Sequence, residues 1–155
     1  MPIYRELDHH PIGSISLEPA FAVDGETAAN EVVATMLASR FGYVLVMDDG
    51  RLAGIFTEHD LLTRAVTPDG MPASPVRNFM TPDPTTLDAT APLSAAIEPM
   101  VTGGYHHIPI AGGARGYVGV LTSHNLFHFL AELLPHRLLN LPPRPHQRLR
   151  APDGA

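Results

Sequence analysis

Two places in the sequence carry side chains at a spacing that suits ligand binding. Thr57 is followed three residues later by Asp60, and Thr122 is followed three residues later by Asn125. A threonine so placed is a candidate helix N-cap, which brings the third following side chain back to the same corner. A carboxylate there can accept two hydrogen bonds from the vicinal diol of a sugar, while the hydroxyl and the helix-start amides favour a phosphate. The alternative is that Thr57 and Asp60 only cap a helix.

The nine histidines suggest a metal site as another alternative. His124 and His128 are four residues apart on a predicted helix, a spacing that can direct two ring nitrogens at one ion. No carboxylate lies between them, so the metalloprotease motif is absent. His106 and His107 would point to opposite faces of a strand, so only one could join them. We therefore expect ligand-facing or surface histidines and no metal site.

Composition argues against several kinds of enzyme. The chain has 155 residues without cysteine, and all ten of its positive charges are arginine. Thiolate zinc sites, cysteine nucleophiles, disulfides, Schiff-base lysines and phosphate-binding loops with a lysine are therefore excluded. The sequence also lacks the Gly-x-Ser-x-Gly motif of a serine nucleophile. We predict that the chain is not an enzyme.

Charge is distributed unevenly along the chain. The net charge is −6, but residues 1–134 carry −9 and residues 135–155 carry +3. An acidic body predicts no nucleic-acid partner, and the segment 135–155 is typical of a Pro/Arg-rich tail. No apolar run is long enough to span a membrane, and the first ten residues lack the apolar centre of a secretory signal. We expect a cytoplasmic protein with no membrane partner.

The two Thr corners belong to an internal repeat. Residues 54–61 (GIFTEHDL) align with residues 119–126 (GVLTSHNL) at an offset of 65 residues. The repeat predicts an N-terminal extension over 1–10, a first unit over 11–66, a linker over 67–75, a second unit over 76–134 and a tail over 135–155.

The first unit follows a β-α-β-β-α pattern. Short apolar runs predict strands at residues 21–23, 43–47 and 52–56. Residues 27–39 show helical spacing of apolar side chains, residues 48–51 form a turn, and a helix begins at Glu58.

The second unit repeats this pattern with two differences. Strands are predicted at residues 86–87, 107–111 and 117–121, and a final helix extends from Thr122 to Leu134. Thr90 is the predicted N-cap of the middle helix, with Pro92 in its first turn. Pro99 predicts that this helix kinks or ends before Gly103, because proline lacks a backbone donor.

Together these features resemble a known family. Residues 76–84 (VRNFMTPDP) are similar to the opening segment of a cystathionine β-synthase (CBS) domain, residues 49–55 (DGRLAGI) to its hairpin, and residues 107–110 (HIPI) to its middle strand. With the duplicated Thr corner, residues 11–134 resemble a tandem CBS pair, or Bateman module. The resemblance implies an α+β fold whose two repeats pack sheet to sheet about a pseudo-twofold axis, with two clefts between them.

The resemblance also implies a function and a set of site residues. Such modules sense adenosine-containing ligands (AMP, ADP, ATP or S-adenosylmethionine) and regulate another protein rather than catalyse. The first cleft would be lined by Gly42, Tyr43, Ile55, Thr57, His59 and Asp60, with Asp83 and Thr85 from the other half, and Tyr43 and Ile55 would enclose the adenine. The second cleft would be lined by His106, His107, Val120, Thr122, His124 and Asn125. We expect it to bind more weakly, because a neutral asparagine forms weaker hydrogen bonds.

The final helix suggests an additional interface. It carries Leu126, Phe127, Phe129, Leu130, Leu133 and Leu134, which is more apolar surface than one core face requires. We expect a homodimer that uses this helix, and a regulated partner protein of unknown identity. Two alternatives stay open: a ligand-free dimerisation or scaffold module, and a histidine-based metal sensor.

Overall fold

A computed structural model describes residues 2–114 and 116–133. The first half of the chain begins with helix α1 (Pro2–His9). The elements that follow are β1 (Ala22–Asp24), α2 (Ala29–Ser39), β2 (Tyr43–Asp48), β3 (Arg51–Thr57) and α3 (Glu58–Asp60), which continues as a π-helical turn over Leu61–Ala65. The predicted helix over 27–39 thus begins two residues later than expected. It ends at Ser39 as predicted, and Arg40 follows it in the left-handed conformation.

The elements of the second half are β4 (Thr81–Pro82), β5 (Leu87–Asp88), a 3-10 turn (Leu93–Ala96), α4 (Ile97–Val101), β6 (His107–Ala111), β7 (Tyr117–Thr122) and α5 (Ser123–Leu133). From β5 onward the second half repeats the β-α-β-β-α order that the first half shows from β1, and an additional strand, β4, precedes it. Two further 3-10 turns cover Ile12–Ser14 and Val76–Asn78. The end of the predicted final helix at Leu134 and the tail over 135–155 lie outside the described residues.

The strands form two sheets, which confirms the predicted α+β fold. The first sheet has the order β1-β2-β3-β4, with β1 parallel to β2 and the other pairs antiparallel. The second has the order β5-β6-β7, with β5 parallel to β6 and β6 antiparallel to β7. None of the described helices has the length and apolarity needed to span a bilayer.

Strand β2 shows why its sequence is apolar at successive positions. Val44 and Val46 pack into a core with α2, whereas Tyr43 and Leu45 face a second core that includes Val120 of β7. Because both faces of the strand are covered, successive residues are apolar and the strand does not alternate between polar and apolar side chains. The core that Tyr43 and Leu45 share with Val120 joins the two sheets face to face.

Each half receives part of its core or sheet from a segment that comes just before the other half in the sequence. Leu7 of α1 and Ile12 are buried in the core of the second half, although residues 1–10 are predicted as an extension. In the same way β4 pairs with β3 of the first sheet, and Glu18 bridges Val120 of β7 through two backbone hydrogen bonds of 2.8 and 2.9 Å. These exchanges tie the two halves into one body.

Two glycines at equivalent repeat positions make these close crossings sterically feasible. A Cβ added to Gly54 would clash with the side chain of Met80 and would lie 2.8 Å from the backbone oxygen of Thr81. A Cβ added to Gly119 would lie 2.7 Å from Cβ of Leu17. Residues 80–81 can approach β3, and residues 17–18 can approach β7, only because neither glycine carries a side chain.

The predicted N-cap at Thr90 is wrong. The Thr90 amide and hydroxyl both donate to Oδ1 of Asp88, at 2.8 and 2.6 Å, and these bonds hold the pKa of Asp88 below its usual value. Pro92 instead precedes the 3-10 turn that leads into α4. The early end predicted from Pro99 is confirmed, since α4 stops at Val101.

Helix α5 uses most of its apolar side chains within its own half. Leu126 is buried, and Phe129 and Leu130 pack against the same core. Phe127 is 66% exposed. The surplus apolar surface expected on this helix is therefore smaller than the sequence predicts, and the homodimer stays a prediction.

Candidate functional site

The first Thr corner forms a complete capping box at the end of β3. The Thr57 amide and hydroxyl each donate to Oδ2 of Asp60 at 3.0 Å, and the Asp60 amide donates back to the Thr57 hydroxyl at 3.4 Å. This bonding explains why α3 begins at Glu58, since it satisfies donors that a helix start leaves without partners. The expected start of the helix is therefore confirmed.

Asp60 is also held by the other half of the molecule. Its side chain is almost completely buried, and the hydroxyl of Thr81 in β4 donates to Oδ1 at 3.0 Å. Nε of Arg64 lies 3.9 Å from the same oxygen, beyond hydrogen-bond distance. A carboxylate has about four acceptor positions, of which three are used. Oδ1 therefore retains room for one further hydrogen bond rather than the two expected from a sugar diol.

A cavity of about 440 Å³ opens beside this corner. We call it the Asp60 cavity. Its lining residues come from both halves and are Gly42, Ile55, Thr57, Glu58, His59, Asp60, Thr81, Gly103, Gly104, Tyr105, His106 and His107. Five of the eight residues predicted for the first cleft are among them, and so are two histidines predicted for the second cleft.

The other three residues predicted for the first cleft lie elsewhere. Tyr43 is buried and belongs to the lining of a different cavity; its hydroxyl donates to the backbone oxygen of Pro19 and its ring lies 5.1 Å from that of His107. Burial, and to a lesser degree the Glu18 carboxylate, raise the pKa of Tyr43. Asp83 and Thr85 are absent from the lining. Tyr43 therefore does not face an adenine in this cavity together with Ile55.

Five lining residues are not predicted by the sequence: Glu58, Thr81, Gly103, Gly104 and Tyr105. Thr81 lies in the opening segment 76–84, two residues before Asp83, the residue expected from that segment. The sequence of the loop from Gly103 to Tyr105 indicates where the preceding helix ends, but it does not indicate a binding site. A Cβ at Gly103 would lie 2.6 Å from the Tyr105 ring, so glycine there lets the ring fold back beside α4.

The lining contains opposing titratable groups. Glu58 is exposed and lies over Gly42, where an added Cβ would be 3.2 Å from the Glu58 Cδ. Burial and the neighbouring His106 lower the pKa of His107, although the Glu58 and Glu18 carboxylates oppose this shift.

The backbone amides of Thr57, Glu58 and Asp60 were expected to be free to bind a phosphate. This expectation is wrong, because all three donate hydrogen bonds within the chain.

The second Thr corner has the same local geometry with a different outer partner. The Thr122 hydroxyl and amide donate to Oδ1 of Asn125 at 2.8 and 2.9 Å, and the Asn125 amide donates back at 3.1 Å. Nδ2 of Asn125 then donates to Oε1 of Glu18 at 3.0 Å. Asparagine at this position therefore supplies the donor that a carboxylate such as Glu18 requires.

Residues predicted for the second cleft are divided between cavities. A cavity of about 400 Å³, the Glu18 cavity, is lined by Glu18, Arg40, Phe41, Gly42, Tyr43, His106, His107, Thr122, Ser123 and His124. Another, of about 540 Å³, contains Asn125 with His124, His128 and Glu132. Val120 is fully buried in the core between the sheets. The second corner therefore does not form a single cleft with all six predicted residues.

Two histidines of α5 lie close together. Nε2 of His124 and Nε2 of His128 are 3.0 Å apart, so one ring donates to the other. Among the histidine and acidic residues that the structure describes, no group of three is placed to hold a metal ion.

Comparisons with known proteins bear on this arrangement. The profile of the CBS domain family matches the chain twice, over residues 8–66 and 76–132. The meiotically up-regulated gene 70 protein of Schizosaccharomyces pombe is 34% identical over 119 residues, which are 76% of this chain but 16% of that protein. This chain thus spans a small part of that curated relative.

Solved structures share the fold. CBSX2, solved in complex with AMP, superposes with a TM-score of 0.65 at 18% identity and covers 79% of this chain and 97% of its own. The CBS domain pair of protein MJ0100, solved with 5′-methylthioadenosine and S-adenosyl-L-methionine, gives a TM-score of 0.68 at 18% identity, with coverages of 79% and 96%. Since the family profile matches most of the chain in two successive copies, this chain belongs to the CBS domain family and is a tandem pair of CBS domains.

Proposed function

We propose that this chain is a regulatory module that binds one adenosine-containing ligand in the Asp60 cavity. The observation that carries the proposal is the free acceptor position on Oδ1 of Asp60, a buried carboxylate that faces a cavity lined by both halves. A ribose hydroxyl can donate to that oxygen. Two proteins of the same fold support the class of ligand, since one was solved with AMP and the other with adenosyl compounds.

The lining supports this class of ligand in other ways. Ile55 supplies an apolar surface, and Tyr105, which is 37% exposed, supplies an aromatic ring from the other half. An adenine can stack on such a ring. The volume of about 440 Å³ falls in the range of small-molecule sites, which is roughly 300–1,000 Å³.

Regulation would follow from contact with both halves. A ligand on Asp60 and Tyr105 joins α3 of the first half to the loop before β6 of the second. It changes the angle between the halves only if the two arrangements bind it with different affinity. The altered shape would then be recognised by a partner protein or by a second copy of the chain.

A specific observation favours a second candidate, a ligand-free scaffold. The capping box satisfies Thr57 and Asp60 within the protein, so neither side chain needs a ligand to be stable. In that case the Asp60 cavity would be a solvent-filled gap between two packed repeats.

Isothermal titration with adenosine, AMP, ATP and S-adenosylmethionine separates these two functions. We expect binding of at least one compound at one site per chain. Tyr105→Ala should weaken binding, whereas Tyr4→Ala, on an exposed residue of α1 outside the lining, should leave it unchanged. Absence of heat with all four compounds would favour the scaffold.

A further inference from the structure

We infer that the Asp60 cavity prefers adenosyl ligands with an uncharged or cationic 5′ group over ligands that carry a phosphate there. This inference rests on the proposed function, because it assumes that an adenosyl ligand enters this cavity. It is drawn from the charges and the hydrogen-bond donors of the lining.

The fixed charges of the lining are negative. Glu58 and Asp60 carry carboxylates, and no arginine of the described residues is part of the lining. The chain has no lysine that could compensate. Like charges at short range repel, so a phosphate enters this cavity at a cost that a neutral group avoids.

The arginine beside the corner is already engaged. Nε of Arg64 lies 3.9 Å from Oδ1 of Asp60, and its Nη1 donates to the backbone oxygen of Met80 at 2.8 Å. Arg64 is not part of the lining. The Glu18 cavity differs in this respect, because Arg40 lines it.

Hydrogen-bond donors at the corner are also used within the protein. The hydroxyls of Thr57 and Thr81 both donate to the Asp60 carboxylate. The Glu58 amide donates to the backbone oxygen of Gly42 at 3.0 Å. Each hydroxyl oxygen can still accept, so the two threonines offer acceptors to a ligand, whereas a phosphate needs donors.

Three histidines also line the cavity, and the one with a buried ring does not supply a compensating positive charge. His59, His106 and His107 line the cavity together with Glu58, Asp60 and Tyr105, and Glu18 acts on His107 from the neighbouring cavity. Burial and the neighbouring His106 hold the pKa of His107 below its usual value, so this ring is neutral at about pH 8 and does not offset the carboxylates.

The test is calorimetric titration of the full chain with adenosine, AMP and S-adenosylmethionine. At about pH 8 and low salt we expect AMP to bind about tenfold more weakly than adenosine, and S-adenosylmethionine to bind at least as tightly as adenosine.

A matched pair of variants isolates the charge. Glu58→Gln should tighten AMP several-fold more than it changes adenosine binding, whereas Glu98→Gln, on an exposed residue outside the cavity, should change neither. Two results would overturn the preference and leave the proposed function intact. One is tighter binding of AMP than of adenosine at about pH 8. The other is a Glu58→Gln variant whose affinity for AMP equals that of the wild type. Failure of all three compounds to bind would refute the proposed function itself.

Discussion

The role of Asp60 can be tested by comparison with the second Thr corner, which carries asparagine at the equivalent position. Asn125 occupies the repeat position of Asp60 and accepts the same two bonds from its threonine, at 2.8 and 2.9 Å. Asp60→Asn should therefore preserve the cap and lower the free energy of unfolding by less than about 1 kcal/mol. Asp60→Ala removes the acceptor for three hydrogen bonds. The resulting loss of a cap and of a partner for Thr81 should cost about 2–4 kcal/mol.

Ligand binding should separate the two effects. An amide in place of the carboxylate forms weaker hydrogen bonds with a ribose hydroxyl, so Asp60→Asn should reduce adenosine affinity by about 1–2 kcal/mol, or roughly 5- to 30-fold. Thermal unfolding without ligand measures the structural cost. About 2–4 °C per kcal/mol is expected for a domain of this size, so Asp60→Ala should lower Tm by about 10 °C. Calorimetric titration of Asp60→Asn with adenosine measures the contact.

Two results would refute this reasoning. If Asp60→Asn unfolds as early as Asp60→Ala, the Asn125 corner is not a valid reference and the carboxylate stabilises the fold by its charge. If Asp60→Asn binds adenosine as tightly as the wild type, the carboxylate does not contact the ligand, and Asp60 is only a capping residue.

Three further predictions concern the rest of the molecule. Asn125→Asp places a second carboxylate near Glu18, where the wild type has a 3.0 Å hydrogen bond, and should lower Tm by several degrees; adding Glu18→Gln should restore it. Leu7→Ala should cost about 2–5 kcal/mol in denaturant unfolding, because Leu7 is buried in the second core, whereas exposed Tyr4→Ala should cost under about 1 kcal/mol. Burial lowers the pKa of His107 in the folded state, so the unfolded chain binds the proton more tightly; stability should fall as pH drops below about 6.5, with a shallower slope in His107→Gln.

Each of these has a contrary outcome. An Asn125→Asp chain that Glu18→Gln fails to rescue would show that the two side chains do not oppose each other. Equal costs for Leu7→Ala and Tyr4→Ala would mean that α1 does not contribute to the core. An unchanged pH slope in His107→Gln would assign the acid sensitivity to other groups.

Much of the fold follows from local patterns in the sequence. The duplicated segment at an offset of 65 residues, the apolar runs of β2 and β6 and the Thr corners all act over short distances along the chain. A capping box depends on residues three apart, so the spacing of Thr57 and Asp60 is enough to pair them. Local patterns fail at Thr90, which was predicted to be a helix N-cap. Its hydroxyl donates instead to the nearby Asp88, and the chain forms a turn there.

Tertiary packing decided which side chains meet at the site. The repeat identifies equivalent positions in the two halves, but the cavity beside Asp60 is closed by Thr81 and Tyr105 from the opposite half. Tyr43 was expected in that cavity, yet the facing sheet covers it, because alternate residues of a doubly covered strand go to different cores.

The sequence by itself therefore determined the family, the duplicated α+β architecture and the corner at Thr57 and Asp60, since these depend on spacing along one segment. Only the tertiary structure decided that Glu18 bonds to Asn125 and that Thr81 and Tyr105 line the Asp60 cavity. Glu18 and Asn125 are 107 residues apart, and such a contact is set by how two sheets pack rather than by any local pattern.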